Sequence, residues 1–144
     1  MASAINLLMI SNEARRIVDL AACRMQEQEA CGFLFGHIQG GVARAETAQE
    51  TRNILASPTR FAISGDEYRL AVEAGRQGLK LVAIYHTHCG SAKPSRRDVE
   101  SLLELSDLWL IAGAIKSAPI PNFSDWRCFA SVKNRIKRVD IAFI

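Results

Sequence analysis

Leu81-Val82-Ala83-Ile84-Tyr85-His86-Thr87-His88, followed after six intervening residues by Ser95-Arg96-Arg97-Asp98, is the stretch on which the reading of this chain turns. The apolar run from Leu81 to Tyr85 predicts a buried β-strand. Side chains at i and i+2 of a strand point to the same face, so His86 and His88 converge at the strand's C-terminal end. Neutral imidazoles suit zinc, and a catalytic zinc usually has three protein ligands and one open position. Asp98 is the natural third ligand, because the loop from Cys89 to Pro94 can fold the start of the next helix back over the histidines. Ser95-x-x-Asp98 ahead of Val99, Leu102 and Leu103 also reads as a helix capping box. Both readings of Asp98 stay open on spacing alone. The chain has only three histidines, and two share this face; the third, His37, reads as a surface residue.

Hydrolysis at such a metal needs a general base, usually a carboxylate that is not itself a ligand. Glu29 is the candidate. It stands in Gln28-Glu29-Ala30-Cys31-Gly32-Phe33-Leu34-Phe35-Gly36, where a helix gives way to an apolar strand. Periodicity alone does not separate it from a solvated acid at a helix end, as Glu27 reads.

Outward from these stretches the pattern alternates between helix and strand. Ser11 is a plausible N-cap for a helix from Glu13 to about Gln28, with Ala14, Val18, Ala21 and Met25 on one stripe. Cys31 to His37 and Val42 to Thr51 read as hairpin strands around Gly40-Gly41. Ser57-Pro58 breaks the pattern. Ser64-x-x-Glu67 is a capping box opening a helix to about Arg76. A third helix runs from Ser95 or Arg96 to near Ser106, followed by a strand from Leu108 to Ile115. Pro119 and Pro121 mark a loop before strands at Trp126 to Val132 and Ile136 to Phe143. Trp109, Trp126 and Phe123 read as packing residues. The fold class is therefore α/β: a mixed β-sheet flanked by helices, with the chemistry where a strand end meets a helix start.

With 144 residues, 49% of them hydrophobic and 23% charged, the chain reads as one soluble domain that needs no staples. A net charge of +3 gives no argument for nucleic acid. The cluster Lys133, Arg135, Lys137 and Arg138 reads as a solvated strand face that could steer an acidic partner. Cys23, Cys31, Cys89 and Cys128 form no C-x-x-C pair. Ala4 to Ile10 is too short and lacks the basic start of a signal peptide. No run reaches membrane-spanning length. A cytoplasmic location with free thiols is the expectation.

Taken together, Glu29-Ala30-Cys31-Gly32-Phe33-Leu34-Phe35-Gly36, His86-Thr87-His88 and Ser95-Arg96-Arg97-Asp98 resemble the JAMM (MPN-plus, JAB-domain) zinc metallopeptidases. Asn53-Ile54-Leu55-Ala56-Ser57-Pro58-Thr59-Arg60-Phe61 is similar to a stretch of their bacterial members. The resemblance runs from about Ser11 to about Gly113. It implies a single JAB/MPN domain over residues 1–144 with a cytidine-deaminase-like fold. It implies Zn2+ held by His86, His88 and Asp98, with Glu29 as the base and Ser95 steadying an oxyanion. Two departures stand out. Six residues separate His88 from Ser95, where the family pattern has seven, and Cys89 replaces a common proline.

The short form resembles bacterial members that trim ubiquitin-like sulfur-carrier proteins (ThiS/MoaD-like) after a C-terminal Gly-Gly. An extended tail is expected to pair along a sheet edge beside the metal. The alternatives are an isopeptidase removing a ubiquitin-like modifier from lysine and a non-catalytic MPN-type scaffold. A zinc deaminase is disfavoured, since H-x-E with P-C-x-x-C is missing. A homodimer is compatible with a small enzyme of this kind.

Overall fold

The structure, a computed structural model, describes residues 4–24, 28–105, 108–115 and 122–144. The expected continuation of the first helix through Met25 and Glu27, the third helix's stop near Ser106, Pro119, Pro121 and the Phe123 side chain lie outside this description. The elements run β1 (Leu7–Ile10), α1 (Asn12–Arg24), β2 (Cys31–Gln39), β3 (Val42–Thr51), α2 (Gly65–Ala74), β4 (Lys80–His88), α3 (Arg96–Leu105), β5 (Leu108–Ile115), β6 (Asn122–Val132) and β7 (Arg135–Phe143). Ser11 starts α1 as expected, its hydroxyl accepting from the Ala14 N–H at 3.1 Å. Ser64 caps α2 by accepting from the Glu67 N–H. That helix stops at Ala74, two residues short of the expected Arg76, because Gly75 turns the chain with a positive φ.

The seven strands form one mixed sheet in the order β1-β3-β2-β4-β5-β6-β7, and pairing of β7 with β1 closes it into a barrel. The β4–β5, β1–β3 and β1–β7 pairs are parallel; the rest are antiparallel. The mixed sheet is thus as expected, and its closure is the new feature. Closure depends on β1, a four-residue strand that the sequence pattern does not announce.

Period-two alternation sorts the side chains into two cores. Leu34, Val82, Tyr85, Leu108, Leu110 and Cys128 pack with Leu8, Ile10, Val139 and with Ala14 and Val18 of α1. Phe33, Phe35, Ile84, Trp109, Ile111 and Phe129 pack on the other face with Ala71 of α2 and Leu102 of α3. His86 and His88 follow Ile84 at two-residue steps, so they fall on the face that α2 and α3 cover. Trp109 and Trp126 are buried, as packing residues should be. His37 and the Lys133, Arg135, Lys137 and Arg138 group are exposed.

The strand edges beside the histidines are occupied. β4 pairs with β2 from Lys80 to His86 and with β5 from Ala83 to His88. β2 is likewise held between β3 and β4. Between Ala83 and His86, β4 is therefore paired on both sides.

Candidate metal centre

β4 extends through both histidines, and the i, i+2 geometry holds. His86 Nε2 and His88 Nε2 face each other at 3.1 Å. Asp98, in the first turn of α3, places Oδ1 3.2 Å from His86 Nε2 and Oδ2 3.0 Å from His88 Nε2. The six-residue connection from His88 to Ser95 is long enough to achieve this. Glu29 Oε2 lies 3.8 Å from His88 Nε2. All four residues are withdrawn from solvent: Glu29 is 4% exposed, His86 0% and Asp98 7%, with His88 half-buried.

Asp98 turns out to be both a capping residue and a member of the cluster. Its backbone N–H donates to Ser95 Oγ at 3.1 Å, and its Oδ2 accepts from the Ser95 N–H at 2.9 Å. The capping box fixes the carboxylate's rotamer, and that rotamer aims its oxygens at the two imidazoles. Ser95 itself is exposed. Its oxygen accepts from Asp98, which leaves the hydroxyl proton free to point outward.

Glu29 is fixed through its backbone. Its N–H donates to the Ser57 carbonyl at 2.8 Å, and its carbonyl accepts from Asn53 Nδ2 at 3.0 Å. Next to it, the Ala30 N–H donates to Thr87 Oγ1 at 2.9 Å, and the Thr87 N–H returns to the Ala30 carbonyl at 3.0 Å. The hydroxyl between the two histidines thus ties the Glu29 segment to β4 from the opposite face. Asn53 does more: it also donates to the Arg60 carbonyl and accepts from the Leu55 and Ala62 N–H groups. That buried amide holds residues 53–62 in a compact loop. The loop delivers Phe61, which stacks on His86 with centroids 4.3 Å apart. Neither role was readable from the sequence stretch around Asn53, because both depend on loop closure.

Electrostatics follow from burial and crowding. Burial pushes the Glu29 carboxyl up to about 7, with the Asp98 charge adding to the rise and His88 opposing it. Burial lowers His86 despite its contact with Asp98. Burial also opposes charge on His88, but its hydrogen bond to Asp98 and the charges of Asp98 and Glu29 outweigh that and leave it raised. For Asp98, bonds to both imidazoles overcome burial and hold the carboxyl well below the usual range.

The donor set fits zinc. Ligand atoms placed tetrahedrally at 2.0–2.1 Å from zinc stand about 3.3 Å apart. His86 Nε2 and His88 Nε2 lie 3.1 Å apart, with Asp98 Oδ1 3.2 Å from the first and Asp98 Oδ2 3.0 Å from the second, spacings close to that value. His88 Nδ1 lies 3.1 Å from the Ser91 carbonyl oxygen. A carbonyl only accepts, so the proton is on Nδ1 and the lone pair of the neutral ring is on Nε2, facing the cluster. Glu29 Oε1 is buried without a partner, as a carboxylate aimed at a missing group would be. Glu29, His86 and His88 also meet the geometric requirement for a three-residue metal group. Asp98 lies nearer the imidazoles than Glu29 does. Cys89 is exposed and lies outside that group of donors.

Two hollows flank the centre. One, of about 460 Å³, is lined by Glu29, Ala30, Glu50, Arg52 and Asn53. The other, of about 110 Å³, is lined by Phe61, Ser95, Arg97, Asp98 and Ser101.

Residues 12–129 match the family model of prokaryotic homologs of the JAB domain. A solution structure of a Desulfitobacterium hafniense protein superposes with a TM-score of 0.79 at 22% identity, covering 95% of this chain and 92% of that one. A Salinibacter ruber protein gives 0.61 at 22% identity, covering 97% and 92%. A JAB1/MPN domain protein of Archaeoglobus fulgidus gives 0.56 at 16% identity, covering 99% of each. At these identities the likeness speaks for the fold. No curated protein sequence matches.

Proposed function

The chain belongs to the family of prokaryotic JAB-domain homologs, and from that premise we propose that it is a zinc-dependent peptidase. The observation that carries this reading is the convergence of two imidazole Nε2 atoms and a carboxylate at 3.0–3.2 Å, beside a second, buried carboxyl. A scaffold has no use for such a cluster, which costs stability unless something compensates it.

His86, His88 and Asp98 would hold a zinc ion, which when bound would lower the pKa of water and polarise a carbonyl. Glu29, with its carboxyl raised to about 7, is matched to proton transfer near neutral pH. It takes the proton of the attacking water and returns it to the departing amine nitrogen, as the C–O bond forms and the C–N bond breaks. Ser95, whose oxygen is steadied by the Asp98 N–H, donates its hydroxyl proton toward the developing oxyanion. Phe61, stacked on His86, screens that ring from water.

The substrate is a ubiquitin-like sulfur-carrier protein of the ThiS/MoaD type, cut after its C-terminal Gly-Gly. An extended tail crosses the strand ends, with chain on both sides of the scissile bond occupying the two hollows. Small residues at the cleavage site suit a centre whose walls are Phe61 and the strand backbone.

The test is zinc content together with mass spectrometry of a sulfur-carrier protein extended beyond Gly-Gly, for wild type and Glu29→Gln. The expected result is one zinc per chain in both, a trimmed substrate with wild type and an intact one with the variant. Equal trimming by the variant contradicts the role of Glu29. Zinc with no trimming by either protein contradicts the sulfur-carrier assignment, and lack of zinc favours the scaffold.

A further inference from the structure

His88, Gly113 and Asp125 form one row across three neighbouring strands. His88 is the register partner of Gly113 between β4 and β5, and Gly113 is the partner of Asp125 between β5 and β6. Register partners point to the same face, and strands lie about 4.8 Å apart, so Asp125 stands about 10 Å from the metal-facing histidine on the same surface. Between them Gly113 leaves a slot. A Cβ there would come within 2.4 Å of Ala92 N, 2.6 Å of the Gly90 carbonyl oxygen and 2.6 Å of the Ser91 carbonyl carbon. The backbone of residues 90–92 therefore lies directly on the glycine.

Asp125 closes this slot. Its Oδ2 accepts from the Ala92 N–H at 2.8 Å. Arg127, two residues along β6, braces both carboxylate oxygens, with Nε 3.1 Å from Oδ1 and Nη2 3.3 Å from Oδ2. Ala92 is fully buried under the clamp. The adjacent Ser91 carbonyl is the group that accepts the hydrogen bond from His88 Nδ1–H. Outer partners of this kind set the tautomer and the direction of a ligand imidazole, and losing them typically costs 10–100-fold in metal affinity.

We propose that Asp125 is a positioning residue for the metal centre: it pins residues 90–92 onto Gly113 so that the Ser91 carbonyl holds His88 with Nε2 toward the ion. The inference rests on the metal-centre assignment above, and it adds a residue outside both the His-Thr-His and Ser-x-x-Asp stretches. Nothing in the sequence marks Asp125, because the clamp exists only once β6 has paired with β5 in this register.

The test compares wild type, Asp125→Ala and Asp125→Asn. Asparagine keeps an acceptor for the Ala92 N–H and loses the ion pair with Arg127; alanine loses both. Zinc affinity is measured by competition with a chromophoric chelator, and the cobalt-substituted proteins supply visible spectra. Exchange of the His88 Nδ1 proton is followed by nitrogen-15 NMR in zinc-loaded and metal-free protein, with circular dichroism as the folding check. The expected result is 10–100-fold weaker zinc binding, an altered cobalt spectrum and rapid proton exchange in Asp125→Ala, with substantial rescue in Asp125→Asn. Wild-type affinity and a protected proton in Asp125→Ala overturn the proposal. So does equal damage by both substitutions, which assigns Asp125 to its ion pair with Arg127. If wild type binds no zinc, the metal assignment fails. The metal-free exchange measurement still decides whether Asp125 governs His88.

Discussion

Glu29→Gln should stabilise the metal-free fold at alkaline pH while removing hydrolysis. The Glu29 carboxyl moves from an ordinary 4.5 to about 7 on folding, chiefly through burial. A carboxyl raised in this way binds its proton more tightly when folded than when unfolded. Its penalty is small below pH 4.5, grows from 4.5 to 7 and is complete above 7. By linkage the cost is under about 1 kcal/mol at pH 5 and about 3 kcal/mol at pH 8. Glutamine carries no such cost, and it also removes the Glu29 charge that helps to raise His88. Stripped of metal, the variant should therefore gain about 2.5 kcal/mol on wild type between pH 5 and pH 8. For a chain of this length that is a melting advantage of roughly 5–10 °C at the higher pH. Guanidinium unfolding and thermal melting of both proteins at the two pH values read it directly. If the two stay in parallel across that range, or if wild type is the more stable at pH 8, Glu29 is not the strained group this account requires.

The remaining predictions concern the centre and its supports. Saturating zinc at 1,000 times its dissociation constant should stabilise the fold by about 4 kcal/mol, and a chelator should reverse the gain; His88→Ala should abolish the zinc-dependent shift in melting temperature, whereas a persisting shift would place the ion elsewhere. Asn53→Ala removes an amide that makes four buried or part-buried hydrogen bonds; a loss of about 2–4 kcal/mol is expected, with a larger fall in hydrolysis than in zinc content, and an effect below about 0.5 kcal/mol would refute its role as the loop's hub. Cys89→Pro should leave zinc content and the cobalt spectrum unchanged, because Cys89 lies outside the converging donors; a thiolate-to-cobalt band in wild type that disappears in the variant would make it a ligand.

Local chemistry made the centre legible from the sequence, and distance hid its supports. His86 and His88 were readable because strand geometry forces i and i+2 together. Asp98 admitted two readings; the structure shows the capping box and sets the same carboxylate beside both imidazoles. Glu29 was separable from a solvated acid only by a burial that the Ser57 carbonyl and Asn53 amide impose from another loop. The hairpin of β2 and β3 followed from alternation around Gly40-Gly41. Barrel closure did not, because β1 is four residues long and its partners, at 42–45 and 140–143, are remote in sequence. Asp125 and Phe61 gain their meaning from register and loop shape, which neither composition nor periodicity carries.

The most direct test is a crystal structure of the zinc-loaded protein with anomalous data on both sides of the zinc absorption edge. The account predicts one anomalous peak per chain, bonded to His86 Nε2, His88 Nε2 and an Asp98 oxygen, with Glu29 close by and unbonded. A peak bonded to Glu29 in place of Asp98 would contradict the division between ligand and base. No peak at the histidines of fully metallated protein would contradict the metal centre itself.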